Sequence, residues 1–174
     1  MSRWQASTDG NDIRIIVTGL LVAEALLWGF PDHMAGSRLA VASLHHFFHA
    51  NIFHLAANLL SVWVIFAKGT RYRLSSFVKA YVIATAAWFV SGVPSIGMSN
   101  MIFALIGLRT PPLDHQWWRQ SSVKVFLAVT VVMAFVPNVS ALTHIVSFVS
   151  GCIMAALSRT FNRISSDYSR ASYH

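Results

Sequence analysis

Ser99 and His144 lie in otherwise apolar stretches and are a candidate nucleophile and base. A serine hydroxyl attacks a carbonyl only when a base accepts its proton, and histidine is the commonest such base. Ser99 stands at the predicted start of a helix, where free N–H groups and the helix dipole favour a developing oxyanion. The alternative is that Ser99 caps this helix after a turn at Gly97, and that His144 hydrogen-bonds between helices.

A second polar pair, His54 and Asn58, is spaced four residues apart and therefore shares one face of a predicted helix. Both side chains can donate a hydrogen bond to an oxyanion. Asn58 precedes Lys68 by ten residues, and Ser99 precedes Arg109 by ten. Both therefore lie about 15 Å from the same end of the molecule. The alternative is that the pair hydrogen-bonds between helices.

Three more histidines, His45, His46 and His49, precede this pair. A metal site is disfavoured because there is no HExxH motif and no carboxylate inside the cluster, Asp32 being the nearest acid. We therefore expect no metal and no cofactor. Glu24 is the only acid within a predicted span, and we expect it to pack toward the protein interior without a catalytic role.

The composition excludes an ordinary soluble enzyme, because 55% of the residues are hydrophobic and 11% are charged, against about 25% charged in soluble domains. The single cysteine, Cys152, excludes an internal disulfide. A helix that spans the hydrocarbon core needs about 20 mostly apolar residues. We predict an all-α, polytopic membrane protein with a six-transmembrane-helix bundle. The six candidate segments are Ile13–Phe30, Ile52–Ala67, Phe77–Val93, Ser99–Leu108, Val123–Val136 and Ala141–Leu157.

The basic residues predict the topology of these segments. Twelve of the thirteen Lys and Arg lie at or near the start of the first segment, around the loops after even-numbered segments, or after the sixth, and only Arg38 lies elsewhere. By the positive-inside rule, both termini face the cytoplasm. We therefore interpret the net charge of +7 as a topology signal rather than as a nucleic-acid-binding surface. The small size and the absence of a targeting extension favour a bacterial inner (plasma) membrane.

The chain divides into three predicted parts. Residues 1–12 form a cytoplasmic N-terminal segment, residues 13–160 the membrane domain, and residues 161–174 a cytoplasmic tail. The tail is polar from Asn162 onward, and we expect it to be poorly ordered.

The fourth segment is too short to span the bilayer. Ten residues from Ser99 give about 15 Å of helix, half the thickness of the hydrocarbon core. The helix therefore starts inside the membrane, and the irregular stretch Pro94–Met98 before it must be buried in protein or line a wet cavity.

Small residues indicate what packs against this short segment. On the sixth segment Ser147, Gly151 and Ala155 recur every four residues, and the fourth segment contains Ala104 and Gly107. Small residues at this spacing let two helices approach closely. This contact would bring the sixth segment, and with it the candidate base, against the fourth.

These motifs together resemble those of the rhomboid intramembrane serine proteases. Residues 45–60 resemble the family's second-helix signature, in which His and Asn four residues apart precede paired Leu. Gly97-Met98-Ser99-Asn100 resembles the Gly-x-Ser-Gly motif, and His144 followed by Gly151 resembles the sixth-helix signature. The resemblance covers roughly residues 13–160.

The resemblance implies an intramembrane serine endopeptidase that cleaves membrane-anchored proteins in or near their transmembrane segment. It implies a dyad of Ser99 as nucleophile and His144 as base. The implied supporting residues are His54, Asn58, Met98 and Gly97 for oxyanion stabilisation, and Phe103 and His49 for stacking on the base or lining the substrate cavity. The implied partners are a transmembrane protein substrate and the lipid bilayer.

Four departures from the family pattern motivate an alternative. Asn100 replaces the usual Gly after the serine, and Phe103 stands where the family often has a Tyr stacked on the base. Ser147 stands where a Gly commonly follows the base, and the first outer loop has no Trp-Arg pair. The alternative is a catalytically inactive rhomboid-like protein that binds transmembrane helices. A third hypothesis is a small transporter or channel lined by His54, Asn58 and His144.

Overall fold

The computed structural model describes residues 7–30, 36–66, 71–92, 95–110, 119, 121–133 and 140–171. Within these residues the chain forms seven α-helices and one short antiparallel ribbon. The helices are α1 (Gly10–Trp28), α2 (Arg38–Leu44), α3 (Ile52–Ile65), α4 (Leu74–Ser91), α5 (Ser99–Arg109), α6 (Ser121–Met133) and α7 (Ala141–Ala171). Strand β1 (Ser7–Asp9) pairs with β2 (Arg71–Arg73). The predictions on Arg3, Asp32, Lys68 and Pro94 lie outside the described residues.

Each of the six predicted apolar segments overlaps one of these helices, and local capping determines several of the boundaries. Helix α1 begins three residues before Ile13, because the Asp9 side chain accepts a hydrogen bond from the Asn11 N–H at 2.8 Å. Helix α4 ends before Gly92, which is left-handed at φ 64°. Two stretches, Leu74–Ser91 and Ala141–Ser166, are long and apolar enough to cross a membrane. The number of six spans stays a prediction.

Two features of the fold were not predicted. Helix α2 lies in the long loop after α1 and begins after Ser37, whose hydroxyl accepts a hydrogen bond from the Ala40 N–H at 3.2 Å. The ribbon between β1 and β2 adds a small strand component to the predicted all-α class. It joins the segment just before α1 to the loop between α3 and α4, which carries Arg71 and Arg73, so these two regions lie at one end of the protein.

The prediction of a poorly ordered tail from Asn162 is wrong for residues 162–171, and its remaining part lies outside the described residues. Helix α7 continues without a break to Ala171. No Gly or Pro occurs between Gly151 and that residue, so nothing in the sequence ends the helix at the edge of its apolar part.

Helix α5 forms the centre of the protein. Every residue from Ser99 to Gly107 is buried, and α3, α4, α6 and α7 pack around this helix. In the stretch before it, Ser95, Gly97 and Met98 are buried as well. The prediction that this irregular backbone is buried in protein is confirmed for residues 95–98, of which only Ile96 is partly exposed.

Glycines allow α5 and α7 to touch along their backbones. A Cβ added to Gly107 would overlap the carbonyl oxygen of Phe148 and lie 3.1 Å from the Gly151 Cα. A Cβ added to Gly151 would lie 2.5 Å from the Ala104 carbonyl oxygen. The predicted close contact of small residues between these two helices is confirmed.

Adding a methyl group at this contact should destabilise the protein. We expect Gly107→Ala and Gly151→Ala each to lower the free energy of unfolding by roughly 1–3 kcal/mol, because the new Cβ meets backbone that cannot move aside. The control is Gly19→Ala on α1, where nothing lies within 4 Å of the added Cβ and helix propensity should add up to about 1 kcal/mol. Denaturant unfolding in micelles measures all three. Equal effects at the three positions would contradict the argument.

Candidate active site

Ser99 and His144 meet at the start of α5 and in the first turn of α7. The Ser99 Oγ lies 2.7 Å from the His144 Nε2, which is the distance of a hydrogen bond from the hydroxyl to the imidazole. Both residues are buried, at 8% and 1% exposure. The structure therefore places the two predicted residues in direct contact, at hydrogen-bond distance.

Ser99 does not cap α5, so the alternative role predicted for its hydroxyl is not found in the structure. Met98 occupies the N-cap position of α5, and no side chain makes a capping hydrogen bond there. The first N–H groups of an α-helix have no partner within the helix. The start of α5 therefore presents N–H donors and the positive end of the dipole beside the Ser99 hydroxyl.

The first turn of α7 is fixed to α4. The Ser140 hydroxyl accepts a hydrogen bond from the Thr143 N–H at 3.1 Å. The Thr143 hydroxyl in turn lies 2.9 Å from the hydroxyl of Ser91, at the end of α4. His144 follows directly, so this contact determines where its side chain enters the bundle.

Aromatic packing orients the His144 ring. The Phe103 ring lies 4.6 Å from it, centroid to centroid, at 41°. Phe103 makes an edge contact with Phe126 at 5.5 Å, and Phe126 stacks on Phe148 at 3.8 Å. Among the described residues, the His144 Nδ1 has no hydrogen-bond partner. Phe103 therefore stands at the position predicted for a residue that stacks on the base.

His54 and Asn58 both face Gly97, two residues before Ser99. Asn51 caps α3 by accepting a hydrogen bond from the His54 N–H at 2.8 Å, and this start places the two side chains on one face. A Cβ added to Gly97 would lie 2.7 Å from the His54 Nε2 and 3.6 Å from the Asn58 Nδ2. The structure therefore brings the predicted oxyanion-stabilising side chains next to the loop of residues 95–98, which precedes Ser99.

The predicted contribution of Gly97 needs a correction. Its N–H donates a hydrogen bond to the His45 carbonyl oxygen at 2.7 Å and is therefore not free to bind an oxyanion. Its φ of 116° is a conformation that favours glycine. The contribution of Gly97 is to let the backbone pass against His54 without a side chain.

Asn100, which replaces the family's glycine, has a structural partner that sequence reasoning missed. Its Nδ2 donates to the Ser95 hydroxyl at 2.9 Å and lies 3.4 Å from the His45 Nε2. The residue is 1% exposed. It therefore ties the loop before Ser99 to the histidine-rich segment, and the only sequence signal for this was a polar side chain in an apolar helix.

The histidine cluster joins the loop between α2 and α3 to α4. The His45 Nδ1 lies 2.8 Å from the Ala42 carbonyl oxygen, and the His46 Nε2 lies 3.1 Å from the Thr85 hydroxyl. Burial lowers the pKa of His45 to about 4 and, together with the neighbouring His45, the pKa of His46 to about 3. Both rings are therefore neutral at pH 7. The described residues contain no group of three or more His, Cys, Asp or Glu placed to hold a metal ion.

A cavity of about 160 Å³ lies between α3 and α5. Ser99 and Asn58 lie at its polar part, and most of its wall is apolar. The remaining lining residues are Ala57, Leu60, Ser61, Val64, Ile65, Ile102, Phe103 and Ile106. His49 is not part of this lining and instead contacts Glu24 and His54. The cavity has the size and polarity to accept an apolar side chain beside the hydroxyl of Ser99.

A family model described as the rhomboid domain matches residues 37–161. The chain belongs to the rhomboid family, whose members are intramembrane proteases and inactive relatives that act on membrane proteins within the bilayer. The protein is accordingly an integral membrane protein. No curated protein and no solved structure shows a significant match to the sequence.

The close contact of Gly97 with His54 leads to a prediction about the rate at which Ser99 reacts. We expect Gly97→Ala to lower the rate at which a fluorophosphonate modifies Ser99 by roughly 10²-fold, the cost of losing one oxyanion donor, because the Cβ displaces the His54 ring. Gly92→Ala is the matched control, since Gly92 also has a positive φ but nothing within 4 Å. Intact-mass spectrometry over time gives both rates. If Gly92→Ala slowed the labelling of Ser99 as much as Gly97→Ala, backbone strain and not the contact with His54 would explain the loss.

Proposed function

We propose that the protein is an intramembrane serine endopeptidase that cleaves membrane-anchored protein substrates in or near their transmembrane segment. The observation that carries this proposal is the 2.7 Å contact between the Ser99 hydroxyl and the His144 imidazole. A merely structural serine at a helix start would cap the helix, whereas this hydroxyl is directed at a base from another helix.

The reaction follows from this geometry. As the Ser99 Oγ bonds to the peptide carbonyl carbon, its proton passes to the His144 Nε2 and the carbonyl oxygen becomes an oxyanion. The imidazolium then gives this proton to the leaving amide nitrogen, the C–N bond breaks, and an acyl-enzyme remains. Water attacks the ester with His144 as base, which releases the acid and restores the serine. No metal or cofactor enters any step.

The oxyanion is stabilised from two sides. Backbone N–H groups at Met98 and Ser99 offer hydrogen bonds and the dipole of α5 favours negative charge there. The side chains of His54 and Asn58 approach from α3, as their distances to Gly97 support. The substrate backbone must leave its helix before it reaches these groups, because helical carbonyl oxygens already accept hydrogen bonds.

We also propose that both termini face the cytoplasm. The pairing of β1 with β2 places the N-terminal segment beside the basic loop after α3. The Arg159 guanidinium lies 3.4 Å from the Thr110 carbonyl oxygen, so the basic part of α7 lies at the end of α5 that carries Arg109. Clustering of these cations at one end fits the positive-inside rule. The bacterial inner membrane stays a prediction.

The proposal predicts one activated serine. We expect a fluorophosphonate to add once to the wild-type protein, and Ser99→Ala and His144→Ala to reduce the labelling rate by at least about 10³-fold. Ser147→Ala is the matched control, because Ser147 is buried on the same helix as His144 and its hydroxyl has no hydrogen-bond partner among the described residues. Intact mass identifies the adduct in each protein.

A cleavage assay on the same variants distinguishes a protease from the catalytically inactive alternative. Cleavage of a single-span test protein whose helix is weakened by Gly and Pro, abolished by Ser99→Ala, would support the proposed reaction. A folded wild-type protein that forms no adduct and leaves this test protein intact would contradict it. Binding of the test helix that survives Ser99→Ala would then indicate the catalytically inactive helix-binding protein.

Phe103 should influence the rate through the position of the base. We expect Phe103→Leu to slow fluorophosphonate labelling by roughly three- to tenfold, because an aromatic contact is worth about 0.5–1.5 kcal/mol beyond its buried area. Phe103→Tyr keeps the ring and should stay within about threefold of wild type. A leucine variant as fast as wild type would mean that the stacked ring does not orient His144.

A further inference from the structure

A buried carboxyl group lies near the oxyanion side of the site. Glu24, in the last part of α1, is 6% exposed. Its Oε2 lies 3.6 Å from the His49 Nδ1, and the His49 side chain is fully buried. A carboxyl group inside a membrane domain is unfavourable unless a polar partner compensates it, so such a residue usually has a function.

His49 connects this carboxyl group to His54. The two imidazole rings meet edge to face, with centroids 5.4 Å apart and planes at 72°. The His54 Nε2 points to Gly97, as the 2.7 Å distance to an added Cβ shows. The three side chains therefore form a continuous path from α1 to the place where the oxyanion develops.

The first two members of this path, Glu24 and His49, have no hydrogen-bond partners within the described part of the chain. Neither carboxylate oxygen of Glu24 and neither ring nitrogen of His49 has a hydrogen bond there. Their 3.6 Å approach is therefore an electrostatic contact longer than a hydrogen bond. A residue that served packing alone would be apolar at this position, since an apolar side chain avoids the desolvation of a carboxyl group.

We propose that Glu24 is a positioning residue that holds the His49 ring and, through it, sets the position of the His54 ring. This inference rests on the proposed protease function. The Glu24 carboxyl group faces the Nδ1 edge of His49 at 3.6 Å, and this electrostatic contact favours one orientation of the ring. His54 packs edge to face against the ring so oriented, with its Nε2 beside Gly97.

This role differs from that of Ser99 and His144, since Glu24 does not touch the reacting atoms. Its loss should therefore slow the reaction without weakening the binding of a reagent. A fluorophosphonate is a suitable probe, because its phosphoryl oxygen occupies the position of the oxyanion when Ser99 attacks phosphorus and fluoride leaves.

The test is a double-mutant cycle of Glu24 and His54, with wild type and all variants reconstituted in lipid. We expect Glu24→Gln to lower the maximal labelling rate constant by roughly tenfold, part of the effect of losing an oxyanion donor, with the half-saturating fluorophosphonate concentration unchanged. Glu24→Asp, which restores the acid, should recover most of the rate. In a His54→Ala background, Glu24→Gln should have no further effect, because the residue through which it acts is gone. Leu21→Ala, buried on the same helix at 1% exposure, is the control for packing.

Two outcomes would overturn the inference while leaving the proposed function intact. One is a Glu24→Gln protein that labels at the wild-type rate. The other is an equal fractional loss with and without the His54 side chain, which would indicate a general loss of stability. If the wild-type protein is unreactive, the proposed function fails, and ring ¹⁵N NMR of the histidines decides the inference instead. Glu24→Gln should then shift the His49 and His54 nitrogen signals, and unchanged signals would refute the contact.

Discussion

The backbone contact between α5 and α7 is the constraint on which the site depends. Gly107 lies eight residues after Ser99, and Gly151 lies seven residues after His144. Because the two helices run in the same direction and touch at these glycines, similar lengths of helix separate the contact from the hydroxyl and from the imidazole. The contact thus sets both the distance between the helices and their register. A larger residue at either glycine would separate the two helices that carry Ser99 and His144.

The second constraint is that α5 starts inside the protein. Its polar N-terminus and the loop before it must then find hydrogen bonds without water. The structure meets this need with side chains from other elements. Ser95 and Asn100 bond to each other, the His45 carbonyl oxygen accepts from the Gly97 N–H, and Thr143 contacts Ser91. The histidine-rich segment contacts α4 through the neutral His46 ring. It therefore helps to hold the loop of residues 95–98 in place before Ser99.

Much of this could be predicted from the sequence, because membrane helices leave long apolar runs and small residues mark close contacts. The start of α5 at Ser99 followed from its short length. The partners of Asn100 could not be predicted, because they come from segments distant in the sequence and bear no periodic pattern.

The positions of the charged and aromatic groups also explain why two residues suffice for the proposed chemistry. A carboxylate beside the base would have to be buried in a medium that opposes charge, and the described surroundings of His144 offer the Phe103 ring instead. The buried acid Glu24 contacts His49 instead of His144, with its Oε2 3.6 Å from the His49 Nδ1. Orientation of the base thus comes from packing, and polarity is concentrated where the oxyanion forms. In this arrangement the imidazolium and the oxyanion appear together during the reaction and neutralise each other, so the membrane interior never has to hold an isolated charge.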